Sequence, residues 1–379
     1  MRKFVHVAAG LGAVLGVSAW APLAAAAQDG AGGSGADNVV FVQTDGLAAN
    51  QVVAYDRGAD GSLTWSATYD TGGQGGQLDG SVVDHLASQG SLTYDAGNGL
   101  LYAVNAGSNT VSVFAVDGDR LSLRQVVASG GTFPVSIAAN GRLVYVLNAG
   151  GSGSISGFRV AGGQLHPITG SSRSLGLTIP TDASQFTHTP GQVAFSPDGA
   201  QLIVTTKAGS NAVDAFAVDP DGRTASTPVV NNETGTVPFA VTFDPAGHLL
   251  VAEAGTNALA TFSLAADGTL APLDALGTGQ AATCWVALAQ GYSYASNAGS
   301  ASLSGFETAP NGELSDLGNT TTDPGTVDAS ASSGGQFLYV QTGGSGIVDE
   351  YAVHANGSLG QIGSIAVPGA AGGEGIVAS

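Results

Sequence analysis

Leu101-Tyr-Ala-Val-Asn-Ala-Gly-Ser-Asn-Thr-Val-Ser-Val-Phe114 is the stretch whose reading decides the fold. Two apolar strand-like runs flank a small turn, Ala-Gly-Ser-Asn. The phrase returns as Val144-Tyr-Val-Leu-Asn-Ala-Gly150, Ile203-Val-Thr-Thr-Lys-Ala-Gly-Ser-Asn211, Leu250-Val-Ala-Glu-Ala-Gly-Thr-Asn257, Tyr294-Ala-Ser-Asn-Ala-Gly-Ser300 and Leu338-Tyr-Val-Gln-Thr-Gly-Gly344. A degenerate first copy is Val39-Val-Phe-Val-Gln-Thr-Asp45. Aligning the seven copies on the residue before the turn gives Gln43, Asn105, Asn148, Lys207, Glu253, Asn297 and Gln341. The steps between them are 62, 43, 59, 46, 44 and 44 residues. The short steps fit a propeller blade of roughly 40 to 50 residues. The long first and third steps place longer loops after blades 1 and 3.

Each unit divides into four strands. In the fifth, residues 239–243 form a first strand and Asp244-Pro-Ala-Gly247 a turn. Residues 248–253 form a second strand, 258–264 a third, and Ala266-Asp-Gly268 turns into a fourth. Asp-Gly suits a tight hairpin because both residues tolerate positive φ. The same turn recurs as Ala59-Asp-Gly61, Pro220-Asp-Gly222, Pro310-Asn-Gly312 and Ala355-Asn-Gly357. No run of helical periodicity stands out. The 59 glycines fit many tight turns, because apolar strands lie between them. The expected fold is all-β: a seven-bladed β-propeller of four-stranded antiparallel blades over residues 38–379. Residues 372–378 resemble a first strand with no second strand behind it, whereas the copy at Val39 lacks a first strand. The C-terminal strand should therefore join blade 1 and remove an exposed sheet edge; the alternative is a loose tail.

Residues 1–27 read as a signal peptide. Arg2 and Lys3 lead an apolar run, and Ala25-Ala-Ala27 offers a small-residue cleavage site. A retained anchor is the alternative. Residues 28–37 read as a Gly-rich leader. Export then implies a secreted, extracellular protein with no membrane span after signal removal, and a monomer is expected. Formal net charge is −19, from 10 Lys and Arg against 29 Asp and Glu. That acidic balance excludes a nucleic-acid partner, which needs phosphate neutralisation, and argues against a strongly phosphorylated substrate. Cys284 is the sole cysteine, so no intramolecular disulfide forms; beside Trp285 in an apolar strand it reads as a small core residue.

The blade phrase together with Phe195-Ser-Pro-Asp-Gly199 resembles the seven-bladed propeller lactonase family, which includes 6-phosphogluconolactonase and the fungal carboxy-muconate cyclases. The likeness spans residues 38–379 and is closest to that family's secreted bacterial branch. It implies a lactone or sugar-like ligand, which the scarcity of Lys and Arg makes unphosphorylated, and no cofactor is expected. The family's functional His before the Phe-Ser-Pro-Asp-Gly turn falls on Gly191, and its Arg in the next blade falls on Phe239. Its Glu has a counterpart in Glu253, so one of three positions is kept.

Lys207 and Glu253 also break the Asn/Gln pattern of the aligned positions, in neighbouring blades. They read either as a structural ion pair or as catalytic groups, with Lys207 polarising an ester carbonyl and Glu253 activating water. His188 is the proton carrier in that scheme, or His85, which lies with Asp84 in the first long loop. His188 and Asp182 share the second, and both loops should project over one face. Gln192, Trp285 and Asp328 occupy equivalent first-strand positions and, with Asn297, Glu374 and His85, are the candidate ligand contacts. No metal-binding spacing is present; Asp328 and Glu374 could still line an acidic channel mouth. A non-catalytic propeller that binds a ligand or a protein partner at the cell surface is the competing reading.

Overall fold

Seven sheets arranged around a common axis are what the repeat phrases build in the computed structural model, which describes residues 38–379. The signal-peptide and leader expectations lie outside those residues.

Blade 1 contains β1 (Val39–Gln43), β2 (Gln51–Arg57) and β3 (Leu63–Asp70). Blade 2 is β4 (Leu92–Asp95), β5 (Leu100–Asn105), β6 (Thr110–Asp117) and β7 (Arg120–Ala128). Blade 3 is β8 (Pro134–Asn140), β9 (Leu143–Asn148), β10 (Ser154–Ala161) and β11 (Gln164–Pro167), with the short β12 (Arg173–Ser174) also on β10. A one-turn helix α1 (Gln185–His188) precedes blade 4: β13 (Val193–Phe195), β14 (Gln201–Thr205), β15 (Ala212–Ala217) and β16 (Val229–Asn232). Blade 5 is β17 (Pro238–Phe243), β18 (Leu249–Glu253), β19 (Ala258–Leu264) and β20 (Leu270–Gly277). Blade 6 is β21 (Thr283–Ala289), β22 (Tyr292–Asn297), β23 (Ser302–Thr308) and β24 (Leu314–Thr321). Blade 7 is β25 (Thr326–Ala331), β26 (Phe337–Thr342), β27 (Ile347–Val353) and β28 (Leu359–Ala366).

The last strand, β29 (Ile376–Ala378), pairs antiparallel with β1 through Val40↔Ala378, Phe41↔Val377 and Val42↔Ile376. The ring closes as the sequence implied. Inner and middle strands are buried on both faces, as in β5 and β18, so they read as continuous apolar runs. Outer strands such as β7 and β28 alternate partly buried and exposed residues. The apolar faces of neighbouring blades pack together; Tyr102, Val144, Val146 and Phe216 share one such cluster.

The Asn at the end of the second strand is a tie between strands. Asn297 is fully buried. Its Oδ1 accepts from Thr283 Oγ1 (2.6 Å), and its Nδ2 donates to Ser302 Oγ (3.2 Å) and Ser304 Oγ (2.9 Å). Asn105 does the same in blade 2 with Thr71, Thr110 and Ser112. At Asn105 and Asn297 the buried amide is hydrogen-bonded on both sides and ties its strand to its neighbours; at Asn148, Gln43 and Gln341 the amide oxygen is buried without a partner.

The first long loop, residues 71–91, fills the axis. Four of its residues, His85, Ser88, Gln89 and Gly90, hydrogen-bond to first strands, or to the segments leading into them, of blades around the ring. Ser88 Oγ donates to Val135 O (2.8 Å), Gln89 N to Gly191 O (3.2 Å), and Gln89 Nε2 to Val286 O (2.9 Å). Gly90 N donates to Glu374 Oε1 (2.9 Å), and Trp285 Nε1 to Ser88 O (2.6 Å). His85 N donates to Gly372 O (2.8 Å). The second long loop roofs the first: Asp79 N donates to Gln185 Oε1 (2.9 Å) and Gly80 packs against Ala183 O. Both loops thus meet on one face, as expected from the sequence.

Gly372 is required where it stands. Its φ is +80°, and a Cβ there would lie 2.1 Å from His85 Nε2. Gly372→Ala should lower stability by about 1–3 kcal/mol through backbone strain and displacement of the imidazole. Denaturant unfolding measures the loss; an unchanged midpoint would show that the loop and Gly372 are not in contact.

Candidate functional site

Lys207 lies two residues past the end of β14, in the left-handed region (φ +47°), and opens a 3₁₀ turn, Lys207–Gly209. The side chain is 1% exposed. Its three N–H groups are all used: Nζ donates to Ala87 O (2.6 Å), Phe186 O (2.6 Å) and Thr189 Oγ1 (2.9 Å). It also lies 5.1 Å from the centroid of the Phe239 ring. Burial lowers its pKa to about 7, against the opposing pull of the Asp84 charge. Lys207 therefore ties the axial loop and the roof loop to blade 4.

Glu253 lies elsewhere in the network. It ends β18 and accepts a hydrogen bond from Thr256 Oγ1 (2.8 Å); burial raises its pKa, offset by that bond. The Lys207–Glu253 ion pair considered from the sequence does not form: neither residue takes part in a salt bridge among the described residues. His188 ends α1, where its Nδ1 lies 2.9 Å from both Ser184 O and Thr187 Oγ1. The His85 ring lies over Gly372 with its Nδ1 buried and without a partner, and burial lowers its pKa. Gln192 Oε1 accepts from Val241 N (2.6 Å), bridging blades 4 and 5.

The packing around Gly191 leaves no room for the histidine that the sequence resemblance would place there. Its N–H donates to Thr205 O (2.9 Å), and a Cβ there would lie 2.4 Å from Phe239 O and 2.9 Å from Thr205 Oγ1. No side chain fits.

The structure does unite Asp328 and Glu374, with two further carboxylates, Asp45 and Asp84. Asp328 and Glu374 lie close enough for each carboxyl to influence the other's ionisation. Glu374 is fully buried, and its carboxylate accepts Gly90 N; its own N–H donates to Asp45 Oδ2 (3.1 Å). Burial pushes Asp45 up to about 8 and Asp328 to about 7, and carries Glu374 well above the usual carboxylate range, where the charges of Asp328, Asp84 and Asp45 add to it. Among the described residues no group of His, Cys, Asp and Glu has metal-holding geometry.

Asp84 faces the other way as well. It lines a cavity of about 280 Å³ between the loops and blades 5 and 6, walled by Val82, Val83, Phe186, Phe239, Cys284 and Trp285. Asp84 Oδ1 accepts Leu86 N (2.8 Å) and Oδ2 accepts Ser88 N (2.9 Å). Burial raises it to about 6, restrained by those amides and the Lys207 charge. Phe239 and Trp285 meet edge to face, centroids 4.9 Å apart. Burial pushes the Cys284 thiol up to about 12, so it is not a thiolate nucleophile at neutral pH. Of the expected ligand contacts, Trp285 lines this cavity; Gln192, Asn297, Asp328, Glu374 and His85 do not. Sequence reasoning noted Asp84 as an alternative and Phe239 as a departure, but the convergence of Phe186 and Val83 from two unrepeated loops had no signal in the chain. A second, open basin of about 590 Å³ lies among blades 5 to 7, with Gln89, Gln290, Ser332 and Ser333 on its walls.

The sequence matches no protein-family model and no curated protein. Its structural neighbours include proteins described as 6-phosphogluconolactonases and a gluconolactonase. A Bacteroides fragilis protein provisionally described as a 6-phosphogluconolactonase superposes with a TM-score of 0.72 at 19% identity, covering 90% of this chain and 97% of the other. The periplasmic gluconolactonase of Pseudomonas aeruginosa gives 0.69 at 20%, covering 89% and 98%. Virginiamycin B lyase from Staphylococcus aureus gives 0.53 at 14%, covering 77% and 89%. At these identities the likeness establishes the fold, and activity must be argued from the site.

Proposed function

We propose that this chain is an exported lactonase-type propeller that takes an unphosphorylated small-molecule lactone in the cavity beside Asp84. One observation carries the reading: a carboxylate whose pKa is raised to about 6 lines a small-molecule-sized, mostly apolar cavity at the mouth of a gluconolactonase-like fold. Asp84 accepts a proton from water as the water oxygen adds to the lactone carbonyl carbon. The ring C–O bond then breaks, and the proton passes to the departing oxygen, giving the open hydroxy acid. Lys207 and Glu253 are not part of this scheme. No residue on the cavity wall supplies a free side-chain donor to the carbonyl oxygen, so turnover rests mainly on the base.

The test is hydrolysis of a panel of unphosphorylated lactones by purified protein and by Asp84→Asn, which keeps the side-chain shape. A general base contributes at least about 100-fold, so kcat should fall by about that factor with KM little changed. Turnover that survives Asp84→Asn, or none with any lactone, overturns the assignment. Export is checked by finding the chain outside the cytoplasm with the first 27 residues removed.

A non-catalytic binding propeller is the second reading. It is favoured by the full occupation of Lys207 and by the glycine that Gly191 has to be. Saturable ligand binding with no consumption of ligand would establish it.

A further inference from the structure

We infer that the cavity beside Asp84 recognises a flat, uncharged ring system of about two fused rings, and discriminates against polyhydroxylated and anionic ligands. The inference rests on the cavity being the ligand site and adds the class of ligand it takes.

Shape and size come first. Phe239 and Trp285 form one wall of edge-to-face rings, Phe186 descends from the roof loop, and Val83 from the axial loop. Aromatic surfaces of this kind favour offset or edge contact with another ring. A cavity of about 150 Å³ suffices for benzene; this one, about 280 Å³, has room for roughly two such rings.

The polar groups are already committed. Trp285 Nε1 donates to Ser88 O, and Ser81 Oγ donates to Leu78 O (2.8 Å). Asp84 accepts two backbone amides, and Lys207 has no N–H left. A sugar lactone would bury several hydroxyls where only Asp84 has acceptor capacity left, and each unpaired hydroxyl weakens binding. An anion would meet Asp84 with no free cation on the cavity wall.

Titration calorimetry with three probes tests this: dihydrocoumarin (a fused aryl lactone), 2-tetralone (its carbocyclic counterpart) and glucono-δ-lactone. Both ring probes should bind, and glucono-δ-lactone should bind at least about 100-fold more weakly. Phe186→Ser, a half-buried loop position that leaves the blades intact, should weaken both ring probes about tenfold; Phe239→Arg should weaken them further. Glucono-δ-lactone binding as tightly as the ring probes, no binding of either ring probe, or Phe186→Ser without effect would each overturn the inference. The two proposals fail separately. Equal binding of dihydrocoumarin and 2-tetralone with no hydrolysis upholds ring recognition and removes the lactonase reading. Asp84-dependent turnover of glucono-δ-lactone does the reverse.

Discussion

Lys207→Met should destabilise the folded protein by about 3–5 kcal/mol, the range for breaking one side of a buried charged network. The methionine fills nearly the same volume, so the loss is electrostatic rather than steric. It strands Ala87 O, Phe186 O and Thr189 Oγ1 without their donor. It also leaves Asp84 without its nearest positive charge, which drives that carboxyl further up. Because Ala87 belongs to the axial loop and Phe186 to the roof, both should loosen together. Hydrogen exchange at residues 84–90 should accelerate along with a fall in the chemical denaturation midpoint. A variant of native stability with unchanged exchange, but reduced turnover, would instead return Lys207 to the catalytic role first read from the sequence.

The stability of this protein should fall as pH rises from about 5 to about 7, and Lys207 should oppose any further loss above about 7. Asp45, Asp84, Asp328 and Glu374 hold their protons more tightly in the folded state than an ordinary carboxyl does. Between pH 4 and their folded values, the native state carries protons that the unfolded chain has released. Stability is therefore lost with rising pH, at about 1.4 kcal/mol per pH unit for each such proton. Lys207 has the opposite sign. Its folded value, about 7, lies below the ordinary 10.5, so between them the unfolded chain binds the extra proton and stability rises with pH. Calorimetric melting from pH 4.5 to 9 reads both arms. Self-repulsion of the acidic surface also weakens the fold as pH rises. Asp45→Asn separates the causes, since it should flatten the acid-side slope with little change in surface charge. A melting temperature that climbs between pH 5 and 7, or a slope untouched by Asp45→Asn, would show that the buried cluster is ionised throughout.

The blades were legible because each has to solve the same packing problem. Asn105 and Asn297 recur since in their blades a buried amide ties the strand to its neighbours, and the Asp-Gly and Asn-Gly turns recur since every hairpin needs positive φ. The closing strand was legible from what was missing at Val39. The site was legible only as a set of departures. Lys207 stood out as the one cation among amides, but its alignment with strand-end residues hid that it sits in a left-handed turn and points into the loops. Gly191 and Phe239 looked like losses of chemistry. Space around Gly191 excludes any side chain, and Phe239 is a wall of the cavity. The axial loop has no repeat to align and its partners lie more than 280 residues away, as in Gly90 to Glu374, 284 residues apart. No local pattern encodes contacts of that range.

The loop on the axis has a consequence for how the molecule is assembled. In most repeat proteins each unit leans only on its neighbours, and folding spreads from any point. Here residues 84–91 are synthesised early yet bond to positions 135, 191, 286 and 374. Those bonds form only when distant blades have arrived, so they carry the entropic cost of closing long chain segments. The ring should therefore unfold as one cooperative unit rather than blade by blade, and fold slowly, with its earliest loop among the last segments to become ordered.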